Sequence, residues 1–146
     1  MSKEKIIELL NGALELEHAA YIQYLSHTEI VGGIGAEPII ARLKEIAGDE
    51  KVHQEKFRAL IGALGGVPTM KVAATHQAKD LKGILEQNLK DEKTAVDTYR
   101  MIAGQLKGEG GYYDLLLEDG VKDILMEEQQ HITELELLMA KQGGSY

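Results

Sequence analysis

The chain has 146 residues, of which 44% are apolar and 27% are charged, a size and composition typical of one soluble globular domain. Its net charge of −8 argues against nucleic acid as a partner, and the absence of cysteine excludes disulfides, thiolate zinc sites and iron–sulfur clusters. The sequence has no apolar run of membrane-spanning length and no signal-peptide core at its start, so we expect a cytoplasmic protein without membrane contact.

Glycine and proline clusters divide the chain into four long segments that are rich in helix-favouring Leu, Glu, Lys, Ala and Gln. We predict four helices, near residues 3–31, 36–64, 78–107 and 112–141. In each of them, apolar residues recur at alternating steps of four and three. This spacing places them on one inward-facing seam, as in a helical bundle.

The lengths of the connections predict how the helices are arranged. The connections at 32–35 and 108–111 are short and predict antiparallel neighbours. The connection at 65–77 can span on the order of 40 Å when extended, about the length of one helix, so it can return along the bundle. We therefore predict an all-α four-helix bundle in a single domain, residues 1–146, with a long crossover that makes helices two and three parallel.

Each apolar seam is interrupted at its middle by acidic and basic side chains. The fourth seam position is glutamate in all four helices: Glu17, Glu50, Glu92 and Glu128. The fifth is histidine in helices two and four, His53 and His131, so these helices carry Glu-x-x-His on one face. Burying four ionised carboxylates together is costly, whereas two divalent cations would balance their charge. Oxygen and imidazole donors without sulfur suit iron or manganese, with zinc as a competitor.

One glutamate from each of two helices, with Glu-x-x-His from each of two others, resembles the di-iron carboxylate site of the ferritin-like superfamily. Three segments are most similar to bacterioferritin and to related Dps-like proteins: 17–24, 49–53 and 127–132 (EHAAYIQY, DEKVH and EEQQHI). The resemblance implies a ferritin-like fold and two iron ions per subunit, held by the six seam residues. It also implies that Glu50 and Glu128 bridge the two metals.

Three further residues are candidates for supporting roles around this site. Asp49 and Glu127 each precede a Glu-x-x-His and could accept a hydrogen bond from the histidine of the opposite helix; the alternative is a solvated surface acid. Tyr24 lies one heptad beyond Glu17, and the resemblance implies a tyrosine near the metals that donates an electron or a hydrogen bond. The alternative is a core aromatic, which we favour for Tyr99 at the same offset from Glu92.

Two departures from bacterioferritin change what we expect of haem binding and of the oligomeric state. Lys51 stands where bacterioferritin has its haem-binding methionine, so we expect no haem. The 15 residues after His131 are too few for the short fifth helix of 24-subunit ferritins. We therefore expect a homo-oligomer, either a dimer or a small cage.

The resemblance implies an enzyme, a ferroxidase that oxidises Fe(II) with O₂ or H₂O₂ and serves iron storage or peroxide detoxification. A second interpretation is a rubrerythrin-like or manganese-type peroxidase or catalase that stores no iron. A third is a metal-stabilised bundle that acts as a carrier or an interaction module. The donor set leaves manganese and zinc open as alternatives to iron.

Overall fold

The computed structural model describes residues 2–106 and 112–143, which form four α-helices and no strand. The helices are α1 (Lys3–Thr28), α2 (Ala36–Ala63), α3 (Leu81–Leu106) and α4 (Tyr112–Gly143). The predicted all-α class is therefore confirmed. The predicted connection at 108–111 lies outside the described residues.

Two helix ends differ from the predicted ones by three residues. Helix α1 ends at Thr28, whose hydroxyl donates to the Leu25 carbonyl, yet Val31 is buried all the same. Val31 is therefore apolar because the connection after α1 is buried, and not because α1 continues for another turn. Helix α3 begins at Leu81 because the Asp80 carboxylate caps it, accepting a hydrogen bond from the Gly83 N–H at 2.7 Å. The crossover consequently spans residues 64–80 rather than 65–77.

Helices α1 and α2 are antiparallel, since Ile6 shares a core cluster with Ile61, and Val31 shares the other cluster with Ala36. The crossover then lies along α1. The Ala73 N–H donates to the Glu15 carbonyl at 3.1 Å.

Helix α3 is antiparallel to α1. Gln23 donates to Asn88 at 3.0 Å, whereas the earlier residue Glu17 accepts from the later residue Tyr99 at 2.9 Å. Both α2 and α3 therefore run opposite to α1. This is the parallel arrangement that the long crossover predicted.

Among the residues that the structure describes, two apolar clusters form the core, one towards each end of the bundle. The first contains Leu14, Phe57, Tyr99 and Ile124, and the second contains Tyr24, Ile46, Leu85 and Leu135. In each helix, the seam glutamate lies between its contributions to the two clusters, so the glutamates occupy a layer between them. In the described part of the chain, no helix combines the length and the hydropathy needed to cross a membrane.

Candidate metal centre

The six seam residues that the sequence singles out are buried together in one layer. Each is at most 3% exposed: Glu17, Glu50, His53, Glu92, Glu128 and His131. Their donor atoms form two groups, within each of which all donor atoms lie within 4.8 Å of one another. One group consists of Glu17, Glu50, His53 and Glu128, and the other of Glu50, Glu92, Glu128 and His131. Because Glu50 and Glu128 belong to both groups, they occupy the places that bridging carboxylates would take.

The layer contains buried polar atoms for which the described residues supply no hydrogen-bond partner. They are Glu17 Oε2, Glu50 Oε1, His53 Nδ1, Glu92 Oε2, both carboxylate oxygens of Glu128, and His131 Nδ1. Nδ1 of His53 lies 2.6 Å from Glu128 Oε1, yet neither atom has a hydrogen-bond partner among the described residues. Unpaired buried polar atoms are costly, and all of these belong to the six candidate ligands. The donor set therefore fits two metal ions.

The outer nitrogen of each histidine faces a carboxylate of the opposite helix. His53 Nε2 lies 2.6 Å from Glu127 Oε2, and His131 Nε2 lies 2.9 Å from Asp49 Oδ2. A carboxylate acceptor favours the tautomer in which Nε2 carries the hydrogen. Nδ1 then presents its lone pair to the layer, as a metal ligand requires.

Two buried tyrosines donate hydrogen bonds to the carboxylates of the layer. The Tyr24 hydroxyl donates to Glu92 Oε1 at 2.7 Å, and the Tyr99 hydroxyl donates to Glu17 Oε1 at 2.9 Å. Tyr99 is therefore more than the core aromatic that we favoured, although its ring also packs edge-on against Phe57. Burial and Glu92 raise the pKa of Tyr24 well above its usual range, so this hydroxyl stays a donor.

Protons and metal ions compete for this layer. Burial, together with Glu128 and Glu50, raises the pKa of Glu17, and burial with Glu128 raises the pKa of Glu92. Burial lowers the pKa of His53 and His131, but the carboxylates around each ring outweigh it, so both pKa values lie above the usual value of 6.5. A metal ion that binds here must displace these protons.

The remaining histidines lie outside the layer. His27 is buried, with Nδ1 2.9 Å from the Asn88 side-chain nitrogen. His76 is exposed, on the crossover. The His18 side chain is half-buried, and its Nδ1 lies 2.7 Å from the Lys71 carbonyl oxygen.

Sequence reasoning missed a polar network beside the layer, between α1, α3 and the crossover. Asp91 accepts from Gln23 Nε2 at 2.6 Å and lies 3.2 Å from His76 Nδ1. The sequence does contain a signal for it, since an acid precedes the seam glutamate here as it does at Asp49 and Glu127.

The sequence matches the profile of the family described as ferritin-like domain over residues 7–142. Bacterioferritin from Desulfovibrio desulfuricans is 30% identical over 132 residues, which are 90% of this chain and 72% of that protein. Bacterioferritin from Brucella melitensis is 31% identical over 143 residues, 95% of this chain and 87% of that protein.

Solved structures of similar chains are ferritin-like proteins. A ferritin-like di-iron-carboxylate protein from Bacillus anthracis has a TM-score of 0.88 at 27% identity, over 95% of this chain and 99% of that one. A bacterioferritin-related protein from Bacteroides fragilis, described as a dodecameric thioferritin, has a TM-score of 0.86 at 27% identity. That similarity covers 97% of this chain and 88% of the Bacteroides one.

Proposed function

This chain belongs to the ferritin-like domain family and is related to the bacterioferritins, and on that premise we propose that it is a ferroxidase. Its substrate would be Fe(II), and its electron acceptor O₂ or H₂O₂. The observation that carries the proposal is the layer of unpaired, buried carboxylate and imidazole atoms.

The charges of the layer suit a pair of ferrous ions. Two Fe(II) ions carry four positive charges, which equal the four negative charges of Glu17, Glu50, Glu92 and Glu128. Neutral imidazoles then complete each group of donors. Glu50 and Glu128, which both groups share, would hold the two ions close together.

Iron supplies the redox chemistry, because each Fe(II) gives up one electron to the acceptor. With H₂O₂, two such electrons and two protons from solvent break the O–O bond and yield two water molecules. The carboxylates stabilise the Fe(III) product, since their attraction to a cation grows with its charge. Tyr24 and Tyr99 orient two of the carboxylates through their hydrogen bonds.

The biological role would be iron storage or peroxide detoxification. The oligomeric state distinguishes these two roles, because iron storage needs an enclosed interior. We propose a homo-oligomer, either a dimer or a small cage. The dodecameric description of the similar Bacteroides fragilis protein supports the cage. Light scattering of the purified chain measures the assembly directly.

The decisive experiment combines metal binding with oxidation kinetics. Anaerobic titration with Fe(II) should give two ions per chain, and O₂ or H₂O₂ should then oxidise them rapidly in stopped flow. Glu128→Gln removes a charge from both donor groups and should abolish rapid oxidation. Glu136→Gln is the matched control, because Glu136 is an exposed carboxylate on the same helix.

Other outcomes favour other functions. One ion per chain or fewer would contradict the proposed centre, and an unchanged rate in Glu128→Gln would contradict the ferroxidase. Two ions without iron oxidation would favour a carrier. Peroxide turnover with manganese, without a stored ferric core, would favour a peroxidase or catalase, which the oxygen and imidazole donors also suit.

A further inference from the structure

The two sides of the metal layer are filled differently. On the α2/α4 side, the seam position after each glutamate is histidine, and the outer nitrogens of these rings are covered by Glu127 and Asp49. On the α1/α3 side, the equivalent positions are Ala20 and Ala95. A methyl group fills far less space than an imidazole ring, so the layer is left open on this side.

A cavity of about 280 Å³ occupies that side. It is lined by Ala20 and Ala95, and it reaches from the exposed residue His76 to the buried carboxylates of Glu92 and Glu128. Glu92 Oε2, which is among the unpaired buried atoms, belongs to a residue of its wall. A cation inside this cavity would therefore be beside the donor atoms of the metal centre.

Asp91 lies at the outer part of this cavity, immediately before Glu92 in the sequence. Its side chain is 29% exposed, and its carboxylate lies 3.2 Å from His76 Nδ1. The backbone N–H of His76 donates to Gln23 Oε1 at 2.6 Å, which attaches the crossover to α1 at this point. A carboxylate and an imidazole thus meet where the cavity reaches the surface. The Asp91 carboxylate also accepts hydrogen bonds from the neutral side-chain amides of Gln23 and Gln87, which leave its negative charge unbalanced. A cation that binds between Asp91 and His76 must displace their mutual contact. The resulting two-donor site is weak, which suits a cation that must move on.

We propose that Asp91 and His76 form a capture site for divalent cations, from which Fe(II) passes through the cavity to Glu92 and the metal centre. This role rests on the ferroxidase function proposed above. Lys90 also lines the cavity and is exposed, and its positive charge opposes that of an arriving cation. The charges of Asp91 and Lys90 should therefore affect uptake in opposite directions.

The test is the rate at which the metal-free protein binds Co(II), followed anaerobically in stopped flow by cobalt absorption. Co(II) is chosen because it reports binding without oxidation. Asp91→Asn should lower the second-order rate constant by about tenfold or more, since a charged cleft raises association rates by roughly 10- to 1000-fold. The deficit should shrink as the ionic strength rises. The variant should still bind two ions at equilibrium.

Two further variants make the outcome specific. Asp97→Asn makes the same change at an exposed position of α3 that does not line the cavity, and it should bind at the wild-type rate. Lys90→Gln should bind faster than the wild type. Thermal melts of each metal-free variant identify any loss of folding.

The failures of the two proposals are distinguishable. If the wild type binds two Co(II) ions but Asp91→Asn binds them at an unchanged rate, the capture site is wrong and the metal centre stands. A slower rate that ionic strength does not alter would indicate a structural defect and would equally overturn the capture site. If the wild type itself binds fewer than two ions, the proposed function fails first.

Discussion

The Tyr24 hydroxyl, on α1, donates its hydrogen bond across the bundle to Glu92 on α3, at 2.7 Å, rather than to Glu17 on its own helix. Tyr99 on α3 reciprocates by donating to Glu17 at 2.9 Å. Both contacts join α1 to α3. Each tyrosine therefore supports the donor group that contains the glutamate of the other helix.

Replacing one tyrosine should weaken one of the two metal sites. In Tyr24→Phe, Glu92 loses its hydrogen-bond donor, so the site with His131 should lose about 10- to 100-fold in metal affinity. Tyr99→Phe should do the same to the site with His53. Anaerobic Co(II) titration separates the two sites as distinct binding steps. Tyr21→Phe is the control, because Tyr21 is a half-buried tyrosine outside the layer. Equal weakening of both sites in each variant would contradict this assignment.

Neutralising two carboxylates should stabilise the metal-free protein. Burial raises the pKa of Glu17 and Glu92, which means that their ionised forms destabilise the fold. The double variant Glu17→Gln/Glu92→Gln keeps the acceptor oxygens for the two tyrosines and removes both charges. We expect the metal-free variant to be more stable by about 1–4 kcal/mol, measured in paired denaturant titrations. It should gain less from Fe(II) and lose rapid oxidation. A change within about 0.5 kcal/mol is the result expected of surface acids and would argue against a buried layer.

The stability of the metal-free protein should fall as the pH rises from about 6 to about 9. The folded-state pKa values of His53 and His131 lie above the usual 6.5, so the native state binds more protons than the unfolded state in this range. That stabilisation is complete below the unfolded pKa and is lost as the pH rises towards the folded one. The raised pKa values of Glu17 and Glu92 act in the same direction.

Metal should reverse this trend, because its binding releases the same protons and is favoured at high pH. The melting temperature gained on adding Co(II) should therefore increase from about pH 6 to about pH 9. Thermal melts with and without Co(II) at each pH measure both slopes. A gain from metal that does not depend on pH would show that the imidazoles bind no metal.

Lys51 predicts that the chain does not bind haem as bacterioferritin does. Lys51 is exposed on α2, next to Glu50, and it lacks the thioether of the methionine expected there from the bacterioferritin resemblance. After incubation with haemin and gel filtration, we expect no stoichiometric Soret band. Lys51→Met tests whether this residue alone prevents haem binding, because we expect the variant protein to acquire haem with methionine ligation. A stoichiometric Soret band in the wild type would refute the prediction.

The class of fold and the positions of the layer's six residues could be predicted from the periodicity of the sequence. A repeat of apolar residues at steps of four and three fixes where each side chain lies on its own helix, and the seam glutamates fall at the middle of all four repeats. The structure buries those glutamates between two apolar clusters. The predicted helix ends were less accurate, because an apolar residue such as Val31 can be buried in a connection as readily as in a helix.

The contacts between side chains across the bundle, by contrast, depend on how the helices pack and could not be predicted from periodicity. Periodicity places Tyr24 relative to Glu17, but the partner that its hydroxyl reaches depends on how α1 packs against α3. The same packing leaves the cavity beside Ala20 and Ala95, and the path of the crossover brings His76 to Asp91. Such contacts join residues far apart in the chain, and the distance between them is set by helix packing rather than by local sequence.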